Sequence, residues 1–492
     1  MPPPSDPNPT AASFDLRGLL DGRRGEGLAL MQAHINPVFA KVLKTIGFDR
    51  TYERALGAHA WDAEGRDYLD FLGGYAVVNM GRNHPVIRRA LEDYLALDAA
   101  SWMQFDAPLL AGVLAEELVR RMPNRLERVF FTNSGTEGIE CAIKFAKCAT
   151  RRPAVVSTVR GFHGLTNGAL GLNGDESFRQ GFGPFLPGFR QVPFNDLESL
   201  DRELARGDVA AFVVEPIQGK GVNLPEPGYL AAAARLCRSR GALFVADEVQ
   251  TGIGRTGSFL AIEQEGEVDP DMVVLSKALS GGYVPVGAVL VRRNVWERVF
   301  TSMDRAIVHS STFHMGGLAM TAGLAALHVL DAERLAENAR RRGEQLRKGL
   351  LAMQPRFEFL RAVRQRGLMI AIELGPPRSL RLRAAWSMVQ AMDRNLFAQA
   401  VVMPLMDDHR IITQVAGHQL PVVKLIPPLV IDEADVQRFL AAFEQVMVGL
   451  HRFPGPVWDV LRRLGRNVIA RDSAAGNGSS AAAAPLAAGT SP

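Results

Sequence analysis

Five places in this chain put ionisable, hydroxyl or aromatic residues directly after a short apolar run: Asn133-Ser134-Gly135-Thr136, Phe162-His163-Gly164, Glu215-Pro216, Asp247-Glu248 and Ser276-Lys277. Each offers a different chemistry. Ser134, Gly135 and Thr136 stand before a helix-patterned stretch, EGIECAIKFAKCA, so hydroxyls and free backbone N–H groups meet the positive end of a helix dipole. That is a cradle for an anion, most naturally a phosphate, although the same residues also suit a plain helix cap with Glu137 in the first turn. Asp247 follows the apolar run ALFVA, and a carboxylate drawn out of water there needs a cationic partner. Lys277 follows MVVLS and precedes Gly281-Gly282; a desolvated amine has a lowered pKa and can attack a carbonyl, whereas a solvated surface lysine cannot.

The elements that must position these residues are short apolar runs at 128–132 (RVFFT), 154–158 (AVVST), 210–214 (AAFVV), 242–246 (ALFVA), 272–275 (MVVL) and 288–291 (AVLV). Longer helix-patterned stretches separate them, which predicts an α/β fold with a mostly parallel central sheet. The chemical residues lie just beyond the C-terminal ends of the first five runs, where open α/β sheets place their ligand crevice. An amine, a buried acid and an anion cradle along one sheet edge are the parts by which a protein holds and tunes pyridoxal phosphate.

Composition narrows the alternatives. The chain has 492 residues, 47% of them hydrophobic and 22% charged, with a net charge of +4, too near zero and too evenly mixed for a nucleic-acid protein. Cys141, Cys148 and Cys237 cannot form a disulfide framework and lack metal-ligand spacing, so a reducing, cytoplasmic setting and no metal site are expected. No apolar run is long enough for a membrane-spanning helix, and the N-terminus lacks the order of a secretory signal. Residues 1–13, rich in Pro, Ser and Asn, and residues 472–492, of Ala/Gly/Ser low complexity, are expected to be disordered.

Over roughly residues 50–450 the chain resembles the class III (ω-) aminotransferases of the fold-type I pyridoxal-phosphate enzymes, such as the acetylornithine, ornithine and putrescine aminotransferases. The resemblance rests on WDAEGRDYLDFLGGYAVVNMGRNHP, FFTNSGTEGIECAIKFA, GFHG, VVEPIQGKGV, LFVADEVQTGIGRTG, VVLSKALSGGYVPVGAVL, HSSTF and KLIPPLVI, in that order. It implies that Lys277 forms the Schiff base with the cofactor and shuttles the proton, that Asp247 pairs with the pyridine nitrogen, and that Gln250 hydrogen-bonds the phenolic oxygen. By the same resemblance Ser134, Gly135 and Thr136 are the phosphate cup. Phe162 stacks on the ring with His163 in support, and Thr312 of HSSTF reaches the phosphate of a neighbouring subunit, so the site is shared in a homodimer. His84 and His163 have no metal-ligand spacing and are assigned supporting roles.

Two departures from the family bear on substrate choice. Where many members have Glu after EPIQG and Arg before the PPL motif, this chain has Lys220 and Lys424. Lysine does not reproduce the planar, two-bond grip of arginine on a carboxylate, so altered recognition of glutamate and 2-oxoglutarate is expected. The alternative is that Lys424 still binds the keto acid less rigidly while Lys220 faces solvent. His314-Met315-Gly316-Gly317 after STF also departs, as a neutral turn variant or a reshaped pocket wall. Glu215 and Tyr75 complete the expected substrate side, Tyr75 lying on the segment that in the family folds over the entrance.

One motif is a decoy: Gly252-Ile253-Gly254-Arg255-Thr256-Gly257 fits a dinucleotide fingerprint, but four residues separate it from the preceding strand and no adequate helix follows. The expected organisation is a helical extension over 14–44, a small α+β domain from 45–99 and 341–450, a large cofactor domain over 100–340, and a basic amphipathic helix over 451–471. The last places Val457, Trp458, Leu461, Leu464 and Val468 on one face, for docking on the protein itself or for weak contact of 457–471 with a membrane surface. The expected reaction is ping-pong transfer of a terminal amino group from an amine donor to a keto acid. An aminomutase or decarboxylase on the same scaffold, or a non-catalytic cofactor-binding homologue, are the alternatives.

Overall fold

The computed structural model describes residues 14–452 apart from 104, 124, 393–395 and 418–419, and also residues 455 and 458. The expectations of disorder at 1–13 and 472–492, and the apolar face formed by Val457, Leu461, Leu464 and Val468, lie outside the described residues. Trp458 is described: it is fully buried, its indole N–H donates to the Leu450 carbonyl at 3.1 Å, and its ring packs against Phe359 and Phe397. This residue docks on its own chain.

The chain forms two compact units among the described residues. One comprises residues up to Arg54 together with Trp61–Arg66. Its helices, Leu16–Gly22, Gly27–Leu30 and Pro37–Thr45, start or stop at the glycines and proline of that segment, and Asn36 caps the third by accepting from Phe39 N at 2.9 Å. Within this unit the Arg54 guanidinium lies 3.8 Å above the Trp61 ring.

The other unit, Ala55–Ala60 and everything described from Asp67 on, holds a sheet of seven strands. In chain order these are β1 (Leu126–Thr132), β2 (Ala154–Thr158), β3 (Phe189–Val192), β4 (Val209–Val214), β5 (Leu243–Asp247), β6 (Met272–Leu275) and β7 (Gly287–Arg292). Their spatial order is β1-β7-β6-β5-β4-β2-β3. The pairs β3–β2, β2–β4, β4–β5 and β5–β6 are parallel, and β7 runs antiparallel to both its neighbours. All six expected runs are strands; β3 is the one the apolar pattern misses. Every residue of β2 and β4 is buried, as continuous apolar strands covered on both faces should be. Helix Gly135–Thr150 supplies part of that cover, with Ile139, Ala142, Ile143 and Ala146 in one cluster with Val245, Val274 and Val289.

The antiparallel β7 has a local cause. Residues 276–286 are too few for the helical crossover that a parallel return requires, and they contain only a short 3₁₀ turn, Lys277–Ser280. The chain therefore doubles back at the end of β6, and Lys277 is on the connection.

A second sheet in the same unit has the strand order Leu360–Arg366, Met369–Leu374, Val422–Leu425, Gln414–Val415. Lys424 lies opposite Ala371 on one side and Gln414 on the other, which places it on an interior strand and explains its burial. Among the described residues no helix is long and apolar enough to cross a membrane.

Candidate active site

Lys277 begins the 3₁₀ turn after β6 with φ +47°, in the left-handed region that costs a lysine roughly 1 kcal/mol and persists only where its surroundings impose it. The Ser276 hydroxyl helps impose it, donating to the Val286 carbonyl at 2.9 Å across the loop. Burial lowers the pKa of the Lys277 amine, against the opposing pull of the negative charges of Asp247 and Glu215.

Asp247 is the last residue of β5 and only 4% exposed. Its carboxylate accepts from His163 Nδ1 at 2.7 Å and from Val249 N at 3.2 Å. The cation Asp247 needs is thus a histidine. Burial alone would lower the pKa of the His163 ring, but the Asp247 hydrogen bond and the charges of Asp247 and Glu215 outweigh it and leave that pKa raised. Glu215, at the end of β4, is buried too; its two oxygens accept from Phe162 N at 2.9 Å and Gly219 N at 2.8 Å. Burial raises its pKa, and the nearby His163 partly offsets this.

The GFHG turn is held by a residue the sequence did not single out. Asn173, wholly buried, accepts from His163 N at 2.7 Å and donates to the Gly164 carbonyl at 2.9 Å. Gly164 has φ +126°, and a Cβ there would stand 2.3 Å from Thr136 Oγ1. The turn after β2 and the turn after β1 are therefore in direct contact, which only glycine permits.

Ser134 caps helix Gly135–Thr150, its hydroxyl accepting from Glu137 N at 3.3 Å, while Glu137 accepts from Asn133 N at 2.7 Å. The cap and the cradle are thus one structure. The Thr136 hydroxyl lies 2.7 Å from that of Thr166. A Cβ on Gly135 would come within 2.8 Å of Val249 and 3.5 Å of Ser276, so this helix start abuts the residues flanking Asp247 and Lys277.

The two unexpected lysines are both engaged. Lys220 bonds Asp175 at 2.6 Å, with its ammonium 3.9 Å from the Phe178 ring centre and 5.5 Å from that of Phe162. The Phe162 ring itself meets Phe178 edge to face at 5.5 Å. Lys220 does not face open solvent. Lys424, 4% exposed, donates to the Gly219 carbonyl at 2.7 Å and to Gln250 Oε1 at 2.6 Å. Burial first, and then the positive charge of Lys277, lowers its pKa to about 7. Gln250 Nε2 donates in turn to the Tyr75 carbonyl at 3.2 Å, whereas the Tyr75 side chain is largely exposed.

Thr312 is exposed and joins the cluster only through its neighbour: Ser311 Oγ accepts from Asn133 Nδ2 at 2.8 Å. His314 lies parallel to the Phe130 ring at 5.5 Å and bonds the Ser311 carbonyl, so the departure after STF anchors this loop. His84 is at hydrogen-bond distance from Glu333, 2.9 Å, as a helix-start residue outside the cluster. In the G-x-G-x-x-G segment, Arg255 is fully buried and donates to the carbonyls of Leu368 and Pro427 and to Asn79 Oδ1. That segment is a structural clamp.

Pyridoxal phosphate requires an amine for its aldehyde, an anion for its ring nitrogen and donors for its phosphate. Lys277, the Asp247–His163 pair and the Ser134–Thr136 helix start supply that donor set within adjoining turns, so the residues present fit the group.

The comparisons with known proteins agree. A profile of the family described as aminotransferase class-III matches residues 44–447. Aminotransferase PigE of a Serratia species is 36% identical over 465 residues, covering 88% of this chain, which in turn spans 54% of the length of that relative. The ornithine aminotransferase of Toxoplasma gondii superposes with a TM-score of 0.76 at 30% identity, covering 89% of this chain and 99% of that one. The acetylornithine aminotransferase of Elizabethkingia anophelis does so with 0.65 at 29%, covering 84% and 98%. With the profile spanning most of its length and its fold matched over 84–89% of the chain, the chain belongs to the class III aminotransferases of pyridoxal-phosphate fold type I.

Proposed function

We propose that this protein transfers an amino group from an amine donor to a keto acid in two half-reactions at Lys277. The observation that carries the reading is the buried Asp247–His163 pair set beside the amine of Lys277 at adjoining ends of β5 and β6. When bound, pyridoxal phosphate supplies an aldehyde carbon and an electron-withdrawing ring. The protein's part is electrostatic and geometric. Lys277, its pKa lowered by burial, would supply the amine that bonds the cofactor aldehyde and the base that moves a proton at the substrate carbon. Asp247, oriented by His163, would pair with the ring nitrogen and favour its protonation. Ser134, Gly135 and Thr136 would hold the phosphate at the helix start, Gln250 would donate to the phenolic oxygen, and Phe162 would stack on the ring.

The same proposal includes a large part over 100–340 and a smaller one from 45–99 with 341–450, a cytoplasmic setting, and a homodimer that completes the site through Thr312. Support for the dimer comes from the exposed apolar side chains Trp102, Phe313 and Met315 near that loop, with Trp102 and Phe313 edge to face at 4.7 Å. Donors bearing a terminal amino group, as the ornithine and acetylornithine aminotransferases have, are the expected substrates, with Glu215, Tyr75 and Lys220 on the substrate side. The purified protein should show a visible cofactor band that bleaches with such amines and returns with a keto acid. Lys277→Ala should lose both responses; a variant that still transfers nitrogen would overturn the assignment.

A further inference from the structure

The contact between Lys424 and Gln250 is not one that amino transfer requires. Both acceptors of the Lys424 ammonium, the Gly219 carbonyl at 2.7 Å and Gln250 Oε1 at 2.6 Å, are neutral groups. Below its pKa of about 7 the Lys424 ammonium can only donate, so it favours one orientation of the amide: oxygen on Lys424, nitrogen turned away, where it meets the Tyr75 carbonyl at 3.2 Å. Gly219 is part of the device. A Cβ there would lie 2.5 Å from Gln250 Oε1 and 3.0 Å from Glu215 Oε2, so glycine lets carbonyl and amide reach the same ammonium. A lysine with two of its three donors spent in this way keeps little for a substrate carboxylate.

We propose that Lys424 is a positioning residue for Gln250, holding its amide nitrogen as the donor for the cofactor's phenolic oxygen, and is not the grip for the substrate carboxylate. This rests on the reading of Gln250 given above. Without Lys424 the amide torsion is two-fold and soft, and an oxygen facing the phenolic oxygen would repel it.

The test uses the loaded enzyme and the pH titration of its visible absorbance band. Lys424→Met should move the midpoint as Gln250→Ala does and lower kcat about tenfold, the loss expected for one charge-assisted hydrogen bond, with keto-acid KM values changing alike for mono- and dicarboxylates. The double variant should shift no further than Gln250→Ala alone, because Lys424 acts through Gln250. Lys424→Gln, which keeps a donor, should restore much of the titration, and it carries the test if the methionine variant melts. An unmoved midpoint in Lys424→Met with a KM rise confined to dicarboxylic acids would overturn the proposal, as would additive shifts in the double variant. If Gln250→Ala itself leaves the midpoint in place, the reading of Gln250 fails and takes this inference with it, while the assignment of Lys277 stands.

Discussion

Replacing His163 with phenylalanine keeps a ring in its cavity and removes one hydrogen bond, the 2.7 Å contact from Nδ1 to Asp247 Oδ2. Both partners are buried, His163 at 3% exposure and Asp247 at 4%, so no water replaces the lost donor. A hydrogen bond to a charged group in such a setting contributes about 1.5–3 kcal/mol. At a factor of ten for each 1.4 kcal/mol, pyridoxal phosphate should be held about 10- to 150-fold more weakly. The loss arises on Asp247: without the His163 donor its carboxylate keeps the hydrogen bond from Val249 N and is no longer held in place for the ring nitrogen. Equilibrium dialysis of the cofactor, read by its absorbance, measures the effect. His163→Phe protein that keeps the cofactor as tightly as the parent would refute the reasoning and leave Asp247 oriented by the Val249 N–H alone.

Two further predictions concern stability. Arg255→Met leaves three buried neutral oxygen acceptors unpaired and should cost about 1–3 kcal/mol in urea unfolding, so an unchanged stability would show the clamp to be dispensable. His59 lies between Asp435 and Asp67, and Arg438 also reaches Asp67; the Asp435 hydrogen bond outweighs burial and, with Asp67, raises its pKa to about 9. The folded state therefore holds a proton that the unfolded chain releases near pH 6.5, so this stabilisation is full below that pH and fades as pH rises through about 9. Allowing for partial exposure, about 1–2 kcal/mol should disappear over that window. His59→Phe should flatten the slope, and an unchanged slope would locate the pH dependence elsewhere.

What the sequence could disclose followed from where water is excluded. Lys277 and Asp247 end apolar runs, and a charge in that position stands out in the linear pattern because burial makes it costly. β3 did not stand out: Phe189-Arg190-Gln191-Val192 is a half-exposed edge strand, and its two polar residues interrupt any apolar run. Asn173, which holds the GFHG turn, lies only ten residues downstream of His163 but is a lone polar residue at a helix end, with nothing local to announce its partner. The start of the helix Gly135–Thr150 stands where the sequence puts it, with Ser134 as its cap, but its role stays ambiguous in the sequence, since a hydroxyl that caps a helix and one that faces a phosphate occupy the same position.

The two lysines show the limit most clearly. In the linear pattern Lys220 and Lys424 read as one coupled change, an acid and an arginine lost together. The structure gives each its own partners: Lys220 belongs to Asp175 and the faces of Phe162 and Phe178, and Lys424 belongs to Gly219 and Gln250. Asp175 is 45 residues from Lys220, and Gln250 is 174 from Lys424, so neither partnership has a spacing that pattern reading could recognise. What joins the lysines is the backbone at 219, whose carbonyl receives Lys424 while its own chain continues into Lys220. A charge at 220 therefore has no need of an opposite charge at 424. In place of one coupled pair the structure has two separate settings, Lys220 paired with a carboxylate and Lys424 held by the neutral dipoles of Gly219 and Gln250.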